Sequence, residues 1–416
     1  MRYLPHHLIT ILLVLVLAAC TNSNSETSLP AEIKVESKTS PKEITVFQDA
    51  SKVVIDSDPV VEVTRVGLII DEENLMASYD RQPGVAFVGA IEELNRNGGL
   101  LGKPIELLRI NSESRLSVID TAAEKLIEAG VQLLVVTCEL DFATPAIQRA
   151  KEAEVLVISP CASEEEWGSG EVDNLAFSMT TRPAAYGAEL ANYLWEQEYR
   201  SVAIFWDDTS PETIQECLAF RDSWRNLGGW STVESAINMV TAPSVIGPAD
   251  RNKTLDVDVI ITCATQRVGI LTLELIRGAG WLTPIIAGPS LDSASFFPSD
   301  VSGLGDFRMV SFASTEGDDP YPAVNKATEY FKNIDGISPA SGRFILGADL
   351  ADLWKQAVEL AGTADSRLVA QTIKSFESIE VPSGTIEFEG TQAVTKRALR
   401  MLRHSEGVMI FDTLMR

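Results

Sequence analysis

The sequence predicts an α/β protein built as two doubly wound lobes. Short, mostly apolar runs such as Val66–Ile70 have the composition of strands buried on both faces of a parallel sheet. Between such runs apolar residues recur at helical spacing, as in Val85, Val88, Ile91 and Leu94. Gly98 and Gly99 then end that helix, because glycine enters the left-handed C-cap conformation without a Cβ penalty. The strand–helix–strand order recurs in two series along the chain, each sufficient for an open, doubly wound sheet.

The first series reads as strand Val66–Ile70, helix Gly84–Asn97, strand Ile105–Ile110 and helix Ser117–Ala129, with Gly130 as its stop. Strand Val131–Thr137, short helix Pro145–Ala153 and strand Val155–Ser159 complete it. Thr144 before Pro145 has the pattern of an N-cap with proline at the first helical position. Ser163 followed by Glu166 has that of a capping box. Phe177–Thr181 reads as a crossing segment. The second series is helix Ala184–Glu198, strand Ser201–Trp206, helix Glu212–Leu227, a weak strand Val233–Ile237, strand Val257–Thr262, helix Val268–Gly278 and strand Pro284–Ala287. Strand Met309–Ala313 and helices Pro322–Asn333, Arg343–Leu360 and Leu368–Ser375 follow. A β meander, Gly384–Phe388, Lys396–Arg403 and Val408–Phe411, ends the chain.

A length of 416 residues is enough for two or three domains with a well-buried core. With 34 Lys+Arg against 59 Asp+Glu the net charge is −25, a balance that repels nucleic acid. At the N-terminus Arg2 precedes an apolar run, Leu8–Ala19, that is short for a membrane span. It ends in Leu17-Ala18-Ala19-Cys20, the pattern of a secretory signal. Those four residues resemble the bacterial lipobox, which implies Cys20 as a lipid-modified anchor. Residues 21–60 are rich in polar residues and proline up to Lys42, have no period there, and read as a tether.

Enzyme chemistry finds little support. Beyond the signal the chain has one histidine, His404, which removes His-based triads and His-rich zinc sites. There is no G-x-S-x-G elbow and no Walker loop. The loop after the first strand, Asp71-Glu72-Glu73-Asn74, has no glycine to admit a pyrophosphate, so no dinucleotide or other cofactor is expected. Pairs such as Asp207-Asp208 suit solvated loop charge better than acid–base work in so acidic a chain. Cys138 and Cys161 fall at the ends of strands that should be neighbours, as a disulfide or as two buried thiols. Cys217 and Cys263 have no evident partner and read as buried thiols.

The helix leading through Asn95-Arg-Asn-Gly-Gly-Leu-Leu-Gly-Lys-Pro-Ile-Glu-Leu107 resembles the Leu/Ile/Val-type family of type I periplasmic binding proteins. The resemblance runs from about Val63 to about Phe411. It implies two lobes joined by three crossings, near Phe177, Met309 and Glu377. Lobe one would take 61–178 with 314–378, and lobe two 179–313 with 379–416. It also implies a small-molecule ligand held between the lobes by hinge closure, and delivery to an ABC permease with its ATPase. Ligand residues would come from the loops after the strand C-termini: Tyr79, Asp141, Phe142, Cys161, Ser163, Asp208, Thr265 and Ser290. Trp206, ending the first lobe-two strand, is expected beside them.

On the family pattern Ser163 matches a ligand-binding hydroxyl. The acidic group that binds a ligand amine falls on Ser290. The usual tyrosines fall on Pro211, Thr265 and Ala348, and a usual serine on Asp141. The fold is kept, but the amino-acid clamp is not. An aspartate at 141 opposes a ligand carboxylate, since like charges at 4 Å repel by about 4 kcal/mol at an effective dielectric of 20. A ligand presenting a cation or hydroxyl donor is expected there, unless Asp141 caps a helix or faces solvent. The reading is an exported, lipid-anchored solute-binding receptor of an ABC importer. The alternative is a same-fold lipoprotein that senses a ligand or activates envelope enzymes.

Overall fold

The computed structural model describes residues 62–415, apart from 247–256 and positions 295, 297, 298, 300 and 302. The expected signal sequence, Cys20 and the tether lie outside the described residues.

The first lobe begins with β1 (Thr64–Ile70), α1 (Ala77–Arg96), β2 (Ile105–Asn111), α2 (Leu116–Glu128) and β3 (Leu133–Val135). It continues through α3 (Leu140–Ala153), β4 (Leu156–Ser159), α4 (Glu165–Ser169) and β5 (Ala176–Thr181). The second lobe holds α5 (Pro183–Glu196), β6 (Ser201–Asp207), α6 (Pro211–Asn226), β7 (Trp230–Ile237), α7 (Ala242–Ile246), β8 (Val259–Cys263), α8 (Gln266–Gly278), β9 (Ile285–Ala287) and β10 (Phe307–Ser311). Then come α9 (Pro322–Asp335), a 3-10 turn (Gly342–Phe344), α10 (Ile345–Ala361) and α11 (Ser366–Ser375). The last strands are β11 (Ser378–Val381), β12 (Gly384–Glu387), β13 (Ala393–Val394), β14 (Lys396–Arg397), β15 (Leu399–Ser405) and β16 (Val408–Met415).

The first sheet is parallel, in the order β13-β5-β4-β3-β1-β2. The second is β16-β15-β10-β9-β8-β6-β7, in which β15 alone runs opposite to the other strands and pairs antiparallel with both β10 and β16. Side chains alternate between two cores in each lobe, as the strand period requires. In β1, Val66, Leu68 and Ile70 join the core under α1 and α10, while Ile69 joins that under α2 and α3. In β6, Val202 and Ile204 face the α5–α6 side, and Ala203 and Phe205 the α7–α8 side.

Several boundaries differ from the sequence reading. Helix α1 starts at Ala77 and takes Pro83 inside it, and α3 starts at Leu140 and takes Pro145 inside it. A proline in the second turn is tolerated there because the missing N–H frees only one carbonyl, that of the residue four back. Thr144 is therefore not an N-cap; its hydroxyl donates back to the Leu140 carbonyl at 2.8 Å. Nor does Ser163 cap α4, whose N-cap is Glu164. Phe177–Thr181 is a full strand of the first sheet, and the chain leaves for the second lobe just after it. Residues 378–397 do not run straight into lobe two. Strands β11, β12 and β14 form a small antiparallel sheet, and β13 pairs with β5. Gln392 holds that edge, donating to the Asp173 carbonyl at 2.7 Å and accepting the Ser178 amide through its own carbonyl. The crossing into lobe two falls at 397–399.

Buried ion pairs fasten these crossings. Arg397 donates to Asp349 Oδ2 at 3.2 Å and to the Met179 carbonyl at 2.8 Å. Asp349 also accepts from the Ser383 amide and hydroxyl. Arg400 grips both oxygens of Asp319 at 3.0 Å. Removing one partner of such a pair leaves a buried, uncompensated charge. Asp349→Ala should lower unfolding free energy by about 3–5 kcal/mol in urea titrations. Asp141→Ala, on the exposed first turn of α3, should stay within about 0.5 kcal/mol. Equal effects at the two sites would contradict this account of the crossings.

Candidate functional site

In each sheet the strand order reverses once: between β1 and β3 in the first, and between β6 and β8 in the second. Ligands of open α/β sheets bind beyond the strand C-termini at such switch points. Here both switch points open onto one cavity of about 460 Å³, lined by Met76, Tyr79 and Cys138 from one lobe and Ser210, Pro211 and Thr265 from the other.

Two aspartates shape the mouths of these loops. Asp71, at the end of β1, accepts the Glu73, Asn74 and Met76 amides and the Ser114 hydroxyl. Asp207, the last residue of β6, accepts the Thr209 amide and hydroxyl and, on its other oxygen, the amide and hydroxyl of Thr265. The fully buried Asp80 bridges the first lobe's switch point, accepting the Asp71 amide at 2.9 Å and the Cys138 amide at 2.8 Å. Burial pushes its carboxyl up to about 7.

Six of the eight candidate residues line the cavity: Tyr79, Asp141, Cys161, Ser163, Thr265 and Ser290. Two do not. Phe142 points into the core under α3, since its neighbour Asp141 takes the cavity face of the helix. Asp208 turns away toward β7, where its carboxylate accepts from Asn238 Nδ2 at 3.0 Å. Trp206 packs on the second lobe's core, and Ala348 lies on another face of the first lobe. Cys138 and Cys161 form a disulfide in the cavity wall, with Cα atoms 4.7 Å apart. Cys217 and Cys263, read as lone thiols, form a second at 5.7 Å, because α6 packs across β8.

Reading the strand ends covered Glu139, in the loop after β3, without singling it out, and missed Glu164, Glu212 and Arg343; all four line the cavity. Glu212 follows Pro211 at the start of α6, a position that favours acid at a helix N-terminus. Arg343 lies outside the strand-end loops and had no comparable signal. Its guanidinium donates to Glu212 at 2.7 Å and to the Pro289 and Asp292 carbonyls at 2.9 and 3.2 Å. Glu212 accepts from Tyr186 as well. Burial pushes the Glu164 carboxyl up to about 7. Behind the wall Glu216 sits in space that a side chain at Gly288 would fill. Burial, with the nearby charge of Glu212, pushes it up to about 8.

Residues 63–407 match the family described as periplasmic binding protein. The chain belongs to that family. The Leu/Ile/Val-binding protein BraC3 of Rhizobium johnstonii is 24% identical over 356 residues, covering 83% of this chain and 92% of that protein. The fold is shared with the ABC transporter substrate-binding protein of Desulfitobacterium hafniense in complex with Leu, with TM-score 0.69 and 20% identity over 84% of this chain and all of the other. It is also shared with the Streptococcus pneumoniae substrate-binding protein LivJ in complex with isoleucine, with TM-score 0.66 and 18% identity over 85% and 99% of the two chains. This is a family of solute-binding proteins rather than of enzymes.

Four carboxyls of this binding protein, the buried Asp80 and Glu216 and the half-buried Glu164 and Glu189, are raised to between about 7 and 8, in each case chiefly by desolvation. Each binds its proton more tightly folded than unfolded. Their stabilising contribution is full only below the unfolded carboxyl range, at about pH 4, and is lost progressively as pH rises from there through 7 to 8. Melting temperature should therefore be higher at pH 6 than at pH 8, by about 5 °C, and Glu216→Gln should flatten the difference. A melting temperature that rises from pH 6 to pH 8 would contradict the burial of these acids.

Proposed function

We propose that this chain is the extracytoplasmic, lipid-anchored receptor of an ABC importer, which binds a small polar solute between its lobes by hinge closure and delivers it to a permease with its ATPase. The observation that carries the reading is the meeting of both switch points at a single cavity. Tyr79, Asp141, Cys161, Ser163, Thr265 and Ser290 are the ligand contacts on this reading, and Glu139, Glu164 and Glu212 join them. Asp208 and Phe142 are left out, since their side chains serve β7 and the core. Cys20, outside the described residues, carries the anchor through the Leu-Ala-Ala-Cys signal.

A thermal-shift screen of metabolites tests the binding role. A true solute at a hundredfold excess over Kd should add about 2.7 kcal/mol of stability. Thr265→Ala should weaken that response, because Thr265 stands at the second lobe's switch point. A stabilising solute whose affinity is indifferent to Thr265, Ser163 and Ser290 together would overturn the cleft as its site. Anchoring is tested separately: Cys20→Ser should release the protein from membranes, and a processed variant that stays membrane-bound would overturn the lipid anchor.

A further inference from the structure

The cavity is lined by six carboxylates, Glu139, Asp141, Glu164, Glu165, Glu166 and Glu212, and by one cation, Arg343. That cation is already committed. It is 6% exposed, and its Nε and Nη2 donors go to Glu212 and to the Pro289 and Asp292 carbonyls. Arg343 and Glu212 therefore cancel, and the charge left facing a ligand is that of the first lobe's acids.

Three backbone amides that could hold a ligand carboxylate are also occupied. Backbone amides at helix N-termini are the usual anion donors of such clefts. At the start of α3 the Leu140 amide is taken by Glu164, at 2.5 Å. Before α8 the Thr265 amide is taken by Asp207, and before α1 the Met76 amide by Asp71 and Ser114. The Thr265 hydroxyl donates to Asp207 too, so toward the cavity it offers only lone pairs.

Acceptors, by contrast, are in excess. Pro83 and Pro145 lack N–H groups, so the carbonyls of Tyr79 and Asp141 lose their intrahelical donors. The Tyr79 carbonyl instead lies 3.6 and 3.7 Å from the sulfurs of the Cys138–Cys161 disulfide in the wall. Ser290 lines the cavity at 8% exposure, and its hydroxyl makes no hydrogen bond to any described group, although it lies near the Glu216 carboxyl. Glu164 Oε2 is likewise buried without a partner. A buried acceptor left unpaired calls for a donor.

We infer that the solute is a small organic cation without a carboxylate, an amine or guanidinium, whose N–H groups meet Asp141, Glu139 and Glu164 in the first lobe and Ser290 in the second. The inference rests on the cleft being the solute site and narrows what enters it. It also sets this chain apart from the relatives whose names specify leucine, isoleucine or valine.

The test is calorimetry on the purified protein with 1,4-diaminobutane, spermidine and agmatine on one side, and leucine, isoleucine and valine on the other. At least one amine should bind, with an affinity that falls as salt is raised from 20 to 300 mM. Asp141→Asn and Glu139→Gln should each weaken it about tenfold or more. Both residues are exposed on the cavity side of α3, so the variants should melt like wild type. Leucine, isoleucine and valine should give no heat. Binding of any of those three with Asp141→Asn unchanged or tighter would overturn the cationic assignment and leave the receptor reading standing. Absence of binding by all three amines at 10 mM would also overturn it, and the broader metabolite screen would then decide the receptor reading alone. Amine binding unaffected by either variant would overturn the placement of the site.

Discussion

A cluster of bonds centred on one buried guanidinium ties the two lobes together beside their crossings. Arg343 sits on the 3-10 turn before α10, among helices that pack on the first lobe, yet every hydrogen bond its side chain makes reaches the second. A planar fork of fixed donors suits this task better than an ammonium, because it meets one carboxylate and two carbonyls at once. Its neighbours complete the knot. Asp292 accepts from the Ser311 hydroxyl and the Gly342 amide, and the Ser341 amide reaches Gln82 of α1. Gly342 packs so closely on Ser311 and Ala313 that no side chain would fit there. Phe312, just past β10, lies between Arg343 and Arg397, each 5.4 Å from its ring centroid. Aromatic and cationic groups so arranged are desolvated together, and each supports the other's burial.

From that knot the cavity inherits its character. Arg343 is the one positive group in the wall and is spent on the frame, so the wall's electrostatics are those of its acids. The same device recurs at each switch point: an aspartate at the end of the first strand, Asp71 or Asp207, folds back the loop that follows and occupies amides of the opening. These bonds make the loop shapes rigid before any solute arrives, which lowers the ordering cost of binding. The disulfide between Cys138 and Cys161 adds a covalent tie between the ends of neighbouring strands β3 and β4 on the same wall.

Much of this was legible in the sequence. The apolar runs of β1, β3, β4, β6 and β8 located the strands, and their C-terminal loops located most of the cavity, because parallel sheets bury strands on both faces and leave function at their ends. The starts of α1 and α3 were not legible: the first was read from Gly84, just after Pro83, and the second from Pro145, and both prolines are instead absorbed in the second turn. Phe142 and Asp208 failed for a different reason: strand-end position fixes a loop but not which neighbouring side chain turns inward. Arg343 and the Cys217–Cys263 pair failed because both depend on long-range packing, of a turn against lobe two and of α6 against β8. The route of residues 378–397 also depended on tertiary pairing. The edge of β5 was open to β13, and no local periodicity could announce it.

The central claim, that solute is held between the lobes at the two switch points, is tested most directly by a crystal structure of the protein with the solute that stabilises it. The account predicts ligand density in contact with Asp141, Ser163 and Ser290, enclosed by both lobes. Density instead in the apolar groove of about 360 Å³ between α1, α9 and α10, beside Tyr330 and Ala348, would contradict it.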